Sequence, residues 1–153
     1  MQVATARRRD IISAMRLVLD TDVVVAALRS PNGASRRLME LLRAGRIRAV
    51  ATVGMMMEYE AVLMREEQLA ATRLTTSELA SFLDGLAALM VPVETHFLWR
   101  PQLSDPNDEM VLEAAVNGRA ERIVTFNVAD FLPAAHRFGL AVERPGDTLR
   151  RLR

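Results

Sequence analysis

The sequence predicts an α/β domain built on a parallel sheet. Two observations carry that prediction. Short apolar runs recur along the chain, and stretches with helical spacing separate them. The first run, Leu17-Val18-Leu19, ends on Asp20, and Asp22 follows two residues later. In an open α/β sheet, ligands bind at the carboxyl ends of the strands, so an acid there points to a cation site.

Each element follows in order. Residues 16–20 read as the first strand and 22–29 as a helix broken at Ser30-Pro31-Asn32-Gly33. Residues 34–44 read as a second helix, with Leu38, Leu41 and Leu42 on one face and Gly45 as its stop. Ile47–Ala51 is a short strand, and Thr52 caps a helix reaching about Arg65. Thr75-Thr76-Ser77-Glu78 opens the next helix, to about Met90, with N-terminal capping chemistry. Val91–Glu94 is a third strand. Asp105-Pro106-Asn107-Asp108 is a strong helix start, and that helix runs to Asn117-Gly118. Arg122–Thr125 and Leu140–Glu143 are the last strands, with helices near 128–137 and over Pro145–Leu152.

A length of 153 residues suits one domain, taken as 15–153. Residues 1–14 carry Arg7-Arg8-Arg9 without a long apolar stretch, so they fit neither a secretory signal nor a membrane span. They are expected to be a disordered or loosely docked extension, or an over-long start with Met15 as the true one. The chain has no cysteine, which excludes disulfides and thiolate metal sites and favours the cytoplasm. Aromatics are only 5%, so Leu, Val, Ala and Met fill the core, and Met55-Met56-Met57 is expected there. All twenty basic residues are arginine, which excludes any mechanism that requires a lysine.

The acids fall at the ends or starts of elements. Asp20 ends the first strand, Glu58 lies in the helix after the second, Asp108 and Glu109 open the helix before the fourth, and Asp130 follows the fourth. Right-handed crossovers bring such segments to one edge. Carboxylates without a histidine or cysteine cluster suit a hard cation such as Mg²⁺ or Mn²⁺, which activates water for phosphoryl chemistry. Asp22 is either a helix cap or a site residue. Asp105 reads as a cap, and His96 and His136 as surface residues.

These residues resemble the PIN-domain family, in particular the VapC-like toxins of bacterial toxin–antitoxin modules. The resemblance spans about 15–146. It rests on Leu19-Asp20-Thr21-Asp22-Val23, Glu58-Tyr59-Glu60-Ala61-Val62-Leu63, Asp105-Pro106-Asn107-Asp108-Glu109 with Ala114-Ala115, and Ile123-Val124-Thr125-Phe126-Asn127 with Asp130-Phe131. It implies a three-layer α/β/α fold with a five-stranded parallel sheet in order 3-2-1-4-5. It also implies a Mg²⁺- or Mn²⁺-dependent endoribonuclease with Asp20, Glu58 and Asp108 as metal and catalytic acids. Thr125 would orient the site. Asp22 departs from the family's usual Asn, and Asn127 from its frequent Asp. The fourth carboxylate is therefore missing or supplied by Asp130. One ion held firmly, and a second only with substrate, is the expectation.

Two rivals stand beside this. Asp20-Thr21-Asp22-Val23 also fits the first motif of haloacid-dehalogenase-like phosphatases, with Asp20 as nucleophile and Asp22 as general acid. The absence of lysine speaks against that family and against receiver domains. The other rival is a PIN fold kept as an RNA- or partner-binding module with weakened catalysis, of which Asn127 would be the mark. An RNA substrate needs phosphate contacts, for which Arg36, Arg37, Arg43, Arg46 and Arg48 are candidates. Accessible bases in single-stranded loops are the reasonable target. The toxin reading implies a cognate antitoxin laid over a groove walled by helices 34–44 and 52–65, and a homodimer or higher oligomer.

Overall fold

A computed structural model of the chain describes residues 14–96 and 102–152. The expected extension at 1–14 therefore lies outside the described residues, apart from its last. Five strands form the sheet: β1 (Met15–Leu19), β2 (Ile47–Ala51), β3 (Val91–Pro92), β4 (Arg122–Val124) and β5 (Ala141–Glu143). Their order is β3-β2-β1-β4-β5 and every pairing is parallel, as expected. Leu17 faces Ala49 on one side and Arg122 on the other, and Leu19 faces Val124. Leu17, Val18 and Leu19 are fully buried, because β1 is central and helices cover both faces.

The helices are α1 (Thr21–Arg29), α2 (Ala34–Arg43), α3 (Val53–Leu63), α4 (Glu66–Thr72), α5 (Thr76–Leu89), α6 (Pro106–Asn117), α7 (Val128–Arg137) and α8 (Pro145–Arg151). Local chemistry sets their starts. Thr52 Oγ1 accepts from Met55 N at 3.1 Å. Thr75 and Glu78 form a reciprocal capping box, each side chain accepting from the other's amide at 3.1 Å. Asp105 accepts from Asn107 N, with Pro106 at the first helical position.

Several boundaries differ from the expectation. The first strand stops at Leu19, and Asp20 is the extended N-cap of α1, accepting from Thr21 N. The third strand is only Val91–Pro92. Helix α4 was not anticipated, since it buries none of its residues and leaves no apolar period to read. The Met run divides: Met55 is buried, whereas Met57 is 67% exposed, because one helix face cannot hold three consecutive residues.

The end of α6 shows packing overruling conformational preference. Ala120 N donates to Ala115 O and Arg119 N to Val116 O, which closes a Schellman turn. Its left-handed residue is Arg119, at φ +54°, although Gly118 stands beside it. A Cβ on Gly118 would lie 2.7 Å from Ala114 O and 2.8 Å from Val93 Cγ2. The glycine sits where the backbone needs space, and the arginine takes the left-handed φ.

Gly118→Ala tests this. Gly118 has φ −85°, so alanine alone would stabilise by about 0.4–1 kcal/mol through the unfolded chain. The clash should outweigh that at about 1–3 kcal/mol. Thermal unfolding should show a Tm lower by about 3 °C or more; a rise would contradict the packing account.

Candidate metal centre

The carboxyl edge of the sheet gathers the site. Asp20 projects from the end of β1 and is 8% exposed. Its Oδ1 accepts from Thr21 N at 2.8 Å, and its Oδ2 accepts from Thr125 Oγ1 at 2.8 Å. Thr125, wholly buried, follows β4 directly, so the adjacent parallel strands place the two side chains together. Below them Tyr59 OH donates to Leu19 O at 2.5 Å, tying α3 to the end of β1. Burial, and then the Asp20 charge, push the Tyr59 phenol up, so it remains a donor.

Asp22 is not a cap. It lies in the first turn of α1 and turns towards the loop after β4. Its Oδ2 accepts from Phe126 N at 3.0 Å and from Asn127 Nδ2 at 3.3 Å. Its Oδ1 is buried and has no protein partner. Asn127 N in turn donates to Thr125 Oγ1 at 3.0 Å, so Asp20, Asp22, Thr125 and Asn127 form one hydrogen-bonded group. The amide at 127 supplies a donor to Asp22, a contact that an acid at this position would turn into repulsion.

Asp108 and Asp130 open α6 and α7 and are felt electrostatically. Burial, then Asp20, Asp105, Asp130 and Asp22, push the Asp108 carboxyl up to about 6. Burial and then Asp20 push Asp22 up to about 6, against the amides that stabilise its ionised form. Asp20 is raised chiefly by burial, opposed by Thr125 and Thr21 and helped by Asp105 and Asp130. Asp105 therefore acts on the site's field as well as capping α6, which the sequence reading did not assign.

The other expected acids stand differently. Glu58 is half-buried on α3, and its side chain makes no hydrogen bond among the described residues. Glu109 is buried elsewhere, accepting from the amides of Gln102 and Leu103 and anchoring the segment before α6. Among the described residues no three acidic or histidine side chains are close enough to cage a cation. The donor set nonetheless suits one: its ligands are hard oxygens, and carboxylates held near pH 6 by burial and mutual repulsion are relieved by a divalent charge.

The arginines divide by position. Arg36 Nε donates to Ala27 O at 2.8 Å, fastening α2 to α1, and Arg37 pairs with Glu40 at 3.0 Å on the surface. Arg46 immediately precedes Ile47, which is level with Met15 at the foot of β1. At about 3.3 Å per residue it lies roughly 17 Å from the end of that strand. Arg43, at the end of α2, is on the same remote side. Neither reaches a group bound at Asp20, because α1 and α2 together return the chain to the amino edge.

An apolar groove opens between α2 and α5. It measures about 450 Å³ and is lined by Ala27, Met39, Phe82, Leu86 and Leu89, with Arg36 and Arg43 at its border. Helix α3 packs against α1 and α5 and leaves this gap open. No helix among the described residues is long and apolar enough to cross a membrane.

Comparison with known proteins agrees with this architecture. The family model of the PIN domain matches residues 16–129. No curated protein matches the chain. A similar solved structure is that of VapBC2 from Rickettsia felis bound to a DNA fragment from their promoter. It has 17% sequence identity and a TM-score of 0.59, covering 85% of this chain and 98% of that one.

The raised acids make stability depend on pH with a defined sign. Asp22 binds its proton more tightly folded (about 6) than unfolded (3.8), so the folded state is favoured at low pH and loses that advantage as pH rises through about 6. Asp22→Asn removes the charge and keeps an acceptor. In metal-free protein it should raise Tm at about pH 7.5 by about 2–5 °C, and the difference should fall to about half by about pH 5 and close only below about pH 4. Thermal scans across that range check it; a constant difference, or a lower Tm at pH 7.5, would contradict it.

Proposed function

The chain belongs to the PIN-domain family, and from that premise we propose that it is a Mg²⁺- or Mn²⁺-dependent endoribonuclease, the toxin of a toxin–antitoxin pair. The observation that carries the reading is the meeting of Asp20, Asp22 and Thr125, joined by hydrogen bonds, with Asp108 close enough in charge to share their repulsion. Asp20 and Asp108 would hold the ion, with Glu58 and Asp130 as further ligands. When bound, the cation would lower the pKa of a water and draw charge from the phosphate.

The chain's own groups have distinct tasks. Thr125 fixes Asp20 by donating to Oδ2, and Thr21 N fixes Oδ1, so each oxygen keeps a lone pair free. Tyr59 holds the carbonyl directly before Asp20, and with it the direction in which the carboxylate leaves the strand. Asn127 and Phe126 N hold Asp22 beside them. Asp108 is less buried than Asp20 and would complete the ligand set from the start of α6. An RNA strand cut here would be single-stranded, so that its bases and phosphates can enter an edge rimmed by helix starts.

An antitoxin would lay an amphipathic segment on the α2–α5 groove, whose lining is mainly apolar with Arg36, Arg43 and Glu40 among it. A PIN fold kept only for binding is the second reading, favoured by the neutral Asn127 and by the uncaged arrangement of the acids.

Cleavage assays decide between the two. Wild type should cut generic single-stranded RNA only with Mn²⁺ or Mg²⁺, and Asp20→Asn should lose roughly 10²-fold or more. Thr125→Ser should stay near wild type and Thr125→Ala should fall between. Saturating Mn²⁺ should raise the Tm of wild type but not of Asp20→Asn. Equal cleavage by wild type and Asp20→Asn would remove the nuclease reading.

A further inference from the structure

The residues that directly follow the five strands are Asp20, Thr52, Val93, Thr125 and Arg144. They stand along the carboxyl edge of the sheet, and Arg144 is the one cation among them. Strand pairing puts it there. Val124 is level with Glu143, and Thr125 N donates to Glu143 O at 3.0 Å, so Arg144 comes level with Thr125. Leu19 is level with Val124 in the same way, which sets Asp20, Thr125 and Arg144 in one row. Neighbouring strands lie about 5 Å apart, so the backbone of Arg144 is roughly 10 Å from that of Asp20. The long side chain of an arginine covers most of such a gap.

The acids nearest in sequence are taken up by other arginines. Glu143 pairs with Arg122 at 3.1 Å and with Arg151 at 2.7 Å, and Asp147 pairs with Arg150. Arg144 is exposed, and among the described residues its side chain makes no hydrogen bond or ion pair. An RNA strand brings further negative charge to an edge that already holds Asp20, Asp22, Asp108 and Asp130, so a cation beside the metal centre favours its docking. The planar fork of a guanidinium matches the two free oxygens of a phosphodiester. Arg144 lies past residues 16–129, which the family model matches, so the family likeness does not account for it.

We propose that Arg144 holds a phosphate of the RNA strand on the β5 side of the metal centre, next to the phosphate that is cut. It binds the strand and touches no reacting atom. The inference rests on the nuclease reading, and the test separates the two. Cleavage of a labelled single-stranded RNA with Mn²⁺ is followed at steady state for wild type, Arg144→Gln, Arg144→Lys and Arg46→Gln. Arg46→Gln removes the same charge at the amino edge and controls for net charge. Arg144→Gln should raise KM about tenfold or more with kcat within about twofold, and Arg144→Lys should recover part of the loss. Arg46→Gln should stay within about twofold of wild type. The slope of log KM against log salt concentration should fall by about 0.7 in Arg144→Gln, as for one lost phosphate contact on a single strand. A KM no higher than that of Arg46→Gln, an unchanged salt slope, or a fall in kcat with KM unchanged overturns the assignment and leaves the nuclease standing. If wild type cuts nothing, the nuclease reading fails, and binding of the same RNA in Mg²⁺ is measured by fluorescence anisotropy. Affinity about tenfold lower in Arg144→Gln than in Arg46→Gln supports the phosphate contact; equal affinities, or no binding by wild type, overturn it.

Discussion

Thr125 Oγ1 donates to Asp20 Oδ2 across the seam between β1 and β4, and the site depends on this contact. It is available because the two strands are parallel neighbours in register, Leu19 beside Val124. The next residue on each strand then leaves the sheet at the same edge. The same register places the loop after β4 over α1, where Asp22 receives Phe126 N and Asn127 Nδ2. A crossover that separated β1 from β4 would scatter all four groups.

The electrostatics follow from that placement. Helix N-termini aim their positive ends at the carboxyl edge, and Asp20, Asp105, Asp108 and Asp130 stand at or near the starts of α1, α6 and α7. Burial and the neighbouring acids outweigh the helix ends at Asp22 and Asp108, whose carboxyls are pushed up to about 6. The edge thus holds more negative charge than it can comfortably ionise. Such an edge takes up a divalent cation with release of protons. Arginines of α2 and the turn after it lie away from it: Arg43 and Arg46 stand towards the amino edge, and Arg36 is occupied in holding α2 to α1.

Much of this was legible in the residues. Alternating apolar runs gave the parallel sheet, and Asp105-Pro106, Thr75-Glu78 and Thr52 marked helix starts that the structure places within a residue or two. Asp20 and Thr125 were readable as a pair only through the strand order, which the resemblance implied and periodicity alone did not. Helix α4 was hidden because it buries nothing. The sequence places the helix end at Asn117-Gly118 without its cause, which is the close approach of Ala114 O and Val93 to Gly118, while Arg119 makes the turn. Glu58 looked equivalent to the other acids in sequence. It stands half-buried on α3, and its helix crosses to α6, which carries Asp108.

The central claim is that acids held partly protonated by burial and mutual repulsion await a divalent cation. Calorimetric titration of Mn²⁺ into the metal-free protein, in two buffers of different ionisation enthalpy, measures it directly. Near pH 6 binding should release about one proton per ion, falling towards zero by about pH 8, with affinity rising over the same range. Binding without proton release near pH 6, or no binding at either pH, would contradict the account.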